Sequence, residues 1–353
     1  MLKIVVAMSG GVDSSVAALL LKEQGHELMG VSMQVWDYRR SGGCSSRATC
    51  CAPDDFTDAR MVAAKIGVPY YVFDFEREFQ AAVIDRFVSD YLSGKTPNPC
   101  VECNNKVKFL ELRRRAAAIG CDRVATGHYA QIKADEDGVL RLYRSVDSNK
   151  DQTYFLYGLK PDELSATAFP VGHLTKPEVR EIARKFGLVT AEKPESQDIC
   201  FVSGSAADFV ARIGGARKQG EVKLSDGQVV GHHDGIHNYT IGQRRGIGVS
   251  GTSAPLYVTA ISAEDNSIIV GPKSELARGE FNISQENWLV PLTAEMESLV
   301  QVRYRAKPIK CRVVKGDTTK VFLDEEGAAI TPGQSAVFYD TSNSYVLGGG
   351  IIC

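Results

Sequence analysis

The chain has 353 residues, with 41 Lys and Arg against 43 Asp and Glu, so its formal net charge is -2. That near balance excludes a globally basic nucleic-acid binder but leaves room for a local basic strip. At 44% hydrophobic and 24% charged it reads as an ordinary globular sequence, long enough for two or three domains.

In chain order, residues 2–8 form a short apolar run of β type. Residues 14–24 have helical composition and stop at Gly25. A strand is expected over 28–36, after which a Gly, Ser, Cys and Arg loop over 37–52 breaks the rhythm. A helix over 54–66 opens on acidic residues and closes at Gly67, followed by a strand at 69–73. Amphipathic helices are expected over 76–92 and 104–119, a strand at 123–125, and a further helix over 176–186. Alternation of this kind with short connections predicts a doubly wound parallel sheet. Beyond about residue 205 the texture changes to glycines, β-branched residues and turn signals, as in GQVVGHHDG and SAEDNSIIVGP. The expected fold class is therefore α/β plus β. An α/β domain spans 1–204, a small central β domain 205–272, and a C-terminal β domain 273–353, the last two meeting near Gly271 and Pro272.

No apolar run approaches the ~20 residues needed to span a bilayer. The opening MLKIVVAMSGG lacks the basic segment and cleavage site of a secretory signal. A cytoplasmic protein with no membrane partner is expected. Nine cysteines in a reducing compartment, an odd number, are not expected to form a disulfide framework. Cys121, Cys311 and Cys353 sit among apolar or strand-like neighbours and are expected to be buried spectators.

Where the first strand hands over to the first helix stands MSGGVDSS, residues 8–15. Gly10 and Gly11 carry no side chain to block a phosphate and tolerate the turns that aim N–H groups inward. Ser9, Ser14 and Ser15 add hydroxyl donors, and the following helix presents its positive end. Asp13 would repel phosphate, so it is expected to cap backbone N–H groups or to act through Mg²⁺. No Gly-Lys-Ser/Thr is present, which excludes a Walker loop. A turn that merely caps a helix would explain the two glycines alone, but not SGGxDS at this joint. The pattern resembles the PP-loop of the ATP pyrophosphatase superfamily. That resemblance implies an adenine nucleotide alpha hydrolase-like domain that splits ATP between its α- and β-phosphates and leaves AMP on a substrate oxygen.

Two thiols stand three positions apart in TPNPCVEC, residues 96–103, and a third lies in ESQDICF, residues 195–201. Spacing alone allows a metal site, a redox pair, a nucleophile or no role. Taken together, SGGVDS, TPNPCVECN, ATGHYA, KDQTYFL, SQDICF, YTIGQRRGIG and TPGQSAVFY resemble the bacterial tRNA-specific 2-thiouridylases, the MnmA family. The resemblance runs in order from residue 7 to the end and implies a β-barrel-like C-terminal domain. It implies that Cys103 is the nucleophile and Cys200 the carrier of a persulfide, the pair passing through a disulfide. It places ATP against Ala7, Met8, Ser9, Gly10, Gly11, Val12, Asp13, Ser14, Met33 and Gly127. Asn98, Pro99 and Cys100 would meet the target base. His128, Lys150, Asp151, Gln152, Arg303, Tyr304 and Gln334 would touch tRNA. ATP and Mg²⁺ follow as cofactors, with tRNA and a sulfur donor, a cysteine desulfurase or relay protein, as partners. The expected reaction is 2-thiolation of the wobble uridine in lysine, glutamate and glutamine tRNAs.

One position departs from the family. Its best-described members carry Asp where this chain has Cys100. Cys100 could stand in for that acid or add a thiol. Alternatively, Cys100, Cys103 and Cys200 could hold an iron–sulfur cluster with one iron open to sulfur. Zinc lacks an evident fourth ligand. Lys106 and Lys108 follow Cys103 and would favour its thiolate. Cys44, Cys50 and Cys51 form a separate cluster suited to metal, to persulfide relay or to nothing. His232, His233 and His237 have no acidic or thiol partner for a metal and are expected on a polar β-loop facing RNA or solvent.

Three basic stretches could hold RNA. Residues 303–315 carry six basic residues and no acidic one, with Arg303 and Arg305 on one side of an expected strand and Tyr304 on the other. GQRRG at 242–246 is a basic turn and KFLELRRR at 108–115 a basic helix. Each alone reads as a solvated face; beside a nucleotide-activating domain they suggest a clamp. Two rival functions remain. A PP-loop ligase or amidotransferase leaves Cys103 and Cys200 idle, and a non-catalytic RNA or iron–sulfur protein leaves the glycine loop idle.

Overall fold

The computed structural model describes residues 1–36, 53–195, 199–202, 204–215, 218–249, 254–325 and 328–353. The loop at 37–52, with Cys44, Cys50 and Cys51, lies outside them. The chain divides into two compact units. The first comprises Met1–Val83, Cys100–Ser203 and Ser344–Val346, and the second Ile84–Pro99, Gly204–Asn343 and Leu347–Cys353. Among the described residues no helix is long and apolar enough to cross a membrane.

The first unit is built on β1 (Lys3–Ala7), whose Ile4, Val5 and Val6 are buried, as a strand covered on both faces requires. Next come α1 (Val12–Glu23), β2 (Glu27–Gln34), α2 (Pro53–Lys65) and β3 (Tyr70–Asp74). Gly25 and Gly67 end the two helices with φ of 80° and 66°, a conformation that suits a residue without Cβ. The expected helix over 76–92 is present as α3 (Glu76–Phe79) and α4 (Asp85–Leu92), joined by a π-helical turn at Gln80–Ile84. The following helix starts earlier than expected, at Pro99, because a proline fits the first helical position, where its missing N–H is no loss. It runs as α5 (Pro99–Glu102), a π-helical segment Cys103–Glu111, and α6 (Leu112–Ala118). β4 (Arg123–Thr126) leads to a hairpin, β5 (Ala130–Ala134) with β6 (Leu140–Arg144), then α7 (Pro161–Leu164), β7 (Thr167–Ala168) and α8 (Lys176–Lys185).

The sheet order is β3-β2-β1-β4-β7 and every pairing in it is parallel. The strand order reverses between β1 and β4, which opens a crevice at their carboxyl ends. Met8, Val12, Val16, Ala125 and Tyr129 belong to the core around it. The β5–β6 hairpin was not expected from the sequence. Its turn is set by Asp135, whose Oδ1 accepts the N–H groups of Asp137 and Val139, and by Gly138 at φ 77°.

The second unit carries α4, which packs on α9 (Ala206–Gly214). Phe87 meets Phe209 edge-on at 6.2 Å, and Gly214 lets the two helices close against Val88 and Leu92. Helix α9 was also not expected, although Ser205 accepts the Asp208 N–H as an N-cap and Gly215 ends the helix at φ 79°. A four-stranded sheet follows, ordered β10-β11-β8-β9, from β8 (Gly220–Leu224), β9 (Val229–His233), β10 (Tyr257–Ser262) and β11 (Ser267–Gly271). His233 and His237 are buried within this region rather than facing RNA or solvent, and only His232 is exposed. Gly235 donates its N–H to His233 Nδ1 at 3.0 Å, the ring packs edge-on against Tyr239, and burial pushes the imidazole pKa down.

After β12 (Ala277–Arg278) the chain forms β13 (Glu280–Trp288), β14 (Glu295–Gln301), β15 (Ile309–Val314), β16 (Thr319–Leu323), β17 (Ala328–Ala329), β18 (Ser335–Tyr339) and β19 (Val346–Ile352). Six of these close a barrel in the order β13-β16-β15-β14-β18-β19. Residues 303–308 do not continue a strand, as the basic run had suggested. Arg305 sits at φ 63° and Ala306 donates its N–H to Arg303 O at 3.0 Å, so the segment is a turn. Pro308 has no N–H for a ladder, and pairing resumes only at Ile309. Cys311 is buried as expected, and burial pushes its thiol up to about 12. Cys121 is half-buried, whereas Cys353 lies past the end of β19 and is exposed.

Candidate functional site

The turn from β1 into α1 is the candidate anion cradle. Met8 N–H still pairs with Val31 O at 2.8 Å, and the Ser32 hydroxyl donates to Met8 O at 2.5 Å, which fixes the start of the loop. Gly10 has φ 73°, and a Cβ there would meet Asp55 O at 2.3 Å. Ser9 N–H donates to Ser14 Oγ at 3.2 Å and closes the loop on itself. Among the described residues no acceptor takes the N–H groups of Gly10 and Gly11, and no side chain caps α1. Those donors and the helix end are therefore open to an anion. Ser15 does not contribute, because it is buried and its hydroxyl donates to Gly11 O at 2.8 Å. Gly127, just past β4, backs onto the loop so closely that a Cβ would lie 2.5 Å from Ser14 N. Met33 lies near the end of β2, opposite Phe73 of β3. The ATP candidates thus share one end of the sheet.

Asp13 neither caps backbone nor offers an open carboxylate. Lys176 Nζ donates to both of its oxygens at 2.8 Å, and the Tyr129 hydroxyl donates to Oδ1 at 2.8 Å. Burial and then Asp13 push the Tyr129 hydroxyl pKa upward, so it stays a donor. Lys176 also reaches Glu195 Oε1 at 2.9 Å, and Lys150 reaches Glu195 Oε2 at 2.6 Å. Burial opposes the ionisation of Glu195, but hydrogen bonds and charge from Lys150 and Lys176 hold its carboxyl at about 2. With Asp13 neutralised in this way, the residues here do not make a protein-ligated Mg²⁺ site. Sequence reasoning missed Lys176 and Tyr129. A usable signal was the lysine in the first turn of α8, where the helix dipole disfavours a cation.

Both thiol segments lie on the first unit. Cys100 is exposed and Cys103 half-buried at the head of the π-helical segment. Such wide turns recur at functional sites, because they change the aim of the side chains before them. Asn104 is buried beside Cys103; its Nδ2 donates to Phe155 O at 3.2 Å, and its Oδ1 finds no partner among the described residues. Phe109 of the same segment packs 5.9 Å from His128, which follows Gly127, and this links the thiol helix to the back of the phosphate loop. Cys200 is half-buried, and its neighbour Phe201 meets Phe79 of α3 edge-on at 5.6 Å. Helix α3 also packs along the π-helical segment, so both thiol segments share it as a neighbour. Cys100, Cys103, Cys121, Cys200, Cys311 and Cys353 are all thiols. Among the described residues no three His, Cys, Asp or Glu side chains are arranged to hold a metal ion. Cys100, Cys103 and Cys200 therefore do not fit a cluster in this arrangement.

The expected RNA contacts fall into two groups. His128 is half-buried against Phe109 and Phe169, and its Nδ1 is 2.6 Å from the Thr126 hydroxyl. Burial and the charge of Lys108 push its pKa well down, so it is a neutral imidazole. Asp151 takes Arg144 at 2.6 Å, the Ser145 N–H at 2.9 Å and the Thr153 hydroxyl at 2.7 Å, and Gln152 accepts the Tyr129 N–H at 2.9 Å. These side chains hold the hairpin in place. In the second unit Gln334 Nε2 donates to Thr96 O at 2.7 Å, while Thr96 donates its N–H to Pro332 O at 2.9 Å and its hydroxyl to Thr240 at 3.2 Å. Three motifs thus meet at Thr96, the root of the segment that leads through Asn98 and Pro99 to the cysteines. Arg303 donates to the Thr331 hydroxyl at 3.0 Å, and Arg305 lies over the Tyr304 ring. Arg244, Arg245, Arg303 and Arg305 are exposed. The basic helix at 108–115 is largely spent in ion pairs: Arg113 with Glu163, Arg114 with Glu111, and Arg115 with Glu78.

Sheet, loop and barrel together define a nucleotide-activating α/β protein extended by β modules, and comparison with known families agrees. Residues 2–204 match the family described as tRNA methyl transferase HUP domain. Residues 207–272 match the tRNA methyl transferase PRC-barrel domain, and 278–352 the aminomethyltransferase beta-barrel domain. A tRNA-specific 2-thiouridylase MnmA of Geobacter metallireducens is 48% identical over 99% of this chain and 96% of its own. That of Leptospira biflexa is 45% identical over 99% and 93%. The chain belongs to the tRNA-specific 2-thiouridylase MnmA family.

Proposed function

We propose that the protein is an ATP-dependent tRNA-uridine 2-sulfurtransferase acting on the wobble uridine of lysine, glutamate and glutamine tRNAs. The uracil C2 oxygen attacks the α-phosphate of ATP held at Ser9–Ser14 and Gly127, and pyrophosphate leaves. The resulting adenylate makes C2 a usable electrophile, because AMP departs where oxide would not. Cys200 carries the transferable sulfur as a persulfide supplied by a cysteine desulfurase or a relay protein. The Cys103 thiolate attacks the Cys200 Sγ and releases hydrosulfide, which adds at C2 as AMP departs. This leaves a Cys103–Cys200 disulfide, which an external thiol must reduce before the next turnover. Cys100 acts as an acid–base group or a third thiol beside the target base. Mg²⁺ would be held by the phosphates of ATP rather than by side chains, and would supply neutralisation of their charge. Residues 1–204 do the chemistry, while 205–272 and 273–353 hold RNA through the turns at Arg244, Arg245, Arg303 and Tyr304.

The observation that most supports this reading is the phosphate cradle and Cys103 sharing one structural link, Gly127–His128–Phe109. Both the loop and the thiols then have work to do, which neither rival function provides. The position of ATP cleavage tests it. Incubated with ATP, tRNA, a persulfide donor and a thiol reductant, the protein is expected to release AMP and pyrophosphate, and release of ADP and phosphate instead would contradict the reading.

A further inference from the structure

Two ammonium groups from separate parts of the first unit converge on one carboxylate. Lys150 Nζ lies 2.6 Å from Glu195 Oε2, and Lys176 Nζ lies 2.9 Å from Glu195 Oε1. Each oxygen takes one cation, as the oxygens of a phosphate do. Lys176 does not need Glu195 for neutrality, because both oxygens of Asp13 already lie 2.8 Å from it. In the set of four, Asp13 and Glu195 balance Lys150 and Lys176. Withdrawing Glu195 leaves one net positive charge in contact with the phosphate loop. That loop, residues 8–15, has one acid and no base of its own, yet it must hold a polyanion. Lys176 touches it through Asp13. Nor is the cluster sealed as a purely structural ion pair would be: the Lys150 and Glu195 side chains keep 29% and 27% exposure, against 9% for Lys176. Solvent therefore reaches the side on which Glu195 sits.

We propose that Lys150 and Lys176 form a phosphate-binding subsite, filled by Glu195 in the ligand-free protein and vacated when an incoming phosphate displaces that carboxylate. The proposal rests on the ATP-dependent reading above. No covalent bond is made or broken; one anion exchanges for another on the same two cations. The phosphate is either the pyrophosphate end of ATP or a backbone phosphate of RNA, since Lys176 faces the nucleotide loop and Lys150 is a candidate RNA contact. Because Glu195 competes with the ligand, its removal must tighten binding.

Calorimetric titration of inorganic pyrophosphate alone, and of tRNA alone at fixed salt, tests this without any thiolation being required. Glu195→Gln is expected to tighten one ligand by about ten-fold, the scale of a lost charge-assisted competitor. Adding Lys150→Ala is expected to abolish that gain. Glu195→Asp, one methylene shorter, cannot span both ammonium groups and should shift binding in the same direction, which covers instability of the first variant. Tighter pyrophosphate binding assigns the subsite to the nucleotide, and tighter tRNA binding assigns it to the backbone. Unchanged affinity for both ligands, in variants that melt as folded proteins, overturns the subsite even if the enzyme proves to be a thiolase.

Discussion

Gly127 is a residue on which the geometry of the phosphate loop depends directly. A Cβ at that position would lie 2.5 Å from Ser14 N and 2.6 Å from Asp13 C, both backbone atoms that cannot rotate away. Gly127→Ala is expected to destabilise the protein by about 1–3 kcal/mol and to weaken ATP binding, as melting and nucleotide titration would read. Glu195 gives a pH signature. Its carboxyl is held at about 2 against an ordinary 4.5, so the stability it contributes is complete above about pH 4.5 and is lost as pH falls toward 2. Glu195→Gln should flatten the pH dependence of the melting temperature across that window, and an unchanged slope would show that the Lys150 and Lys176 contacts contribute little. The glycines of the loop and the thiols were legible in the sequence because their chemistry is local and their spacing distinctive. Lys176, Tyr129 and Glu195 were not, because Tyr129 and Lys176 meet Asp13 across 116 and 163 residues of chain, Glu195 meets Lys150 across 45, and no period announces such pairs. The buried histidines misled for the opposite reason. A polar run such as GHHDG suggests exposure, yet His233 is buried and its Nδ1 accepts the Gly235 N–H within the same turn.

Among the elements, the helix that begins at Pro99 carries the most consequence. Its nine-residue π-helical segment, Cys103–Glu111, is wider than an α-helix and sets the direction of the turn bearing Cys100 and Cys103 relative to α6. Deletion of the exposed Lys106 would return the segment toward α geometry and swing that turn by about 100°. The expected outcome is a roughly 100-fold or greater loss of thiolation with the fold retained, the scale of a misplaced reacting group. Retained activity would mean that the π geometry does not aim the thiols. The strand–helix alternation that places this helix was visible in the sequence, since buried parallel strands and amphipathic helices differ in period. The π turns were invisible, because one extra residue in nine does not disturb an apolar pattern. The β5–β6 hairpin and α9 were missed because each is short and is fixed by its turn or cap residues, Asp135 with Gly138 and Ser205 with Gly215, rather than by periodicity.

At the scale of the whole molecule, the chain enters the second unit at Ile84 and returns to the first at Cys100. Thr96, within that excursion, is held by Pro332, Gln334 and Thr240, so the approach to the cysteines is anchored by residues far along the sequence. No linear reading of composition reveals this; only the shared presence of TPNPC, YTIGQ and TPGQ hinted that they belong together. The central claim is that Cys103 and the ATP loop act together on a tRNA uridine. Mass analysis of nucleosides from tRNA incubated with the protein, ATP, a persulfide donor and a thiol reductant tests it most directly. The expected result is 2-thiouridine formed one-for-one with AMP by the native protein and absent with Cys103→Ser, which still binds tRNA. Formation of 2-thiouridine by Cys103→Ser, or none by the native protein with all four components present, would contradict it.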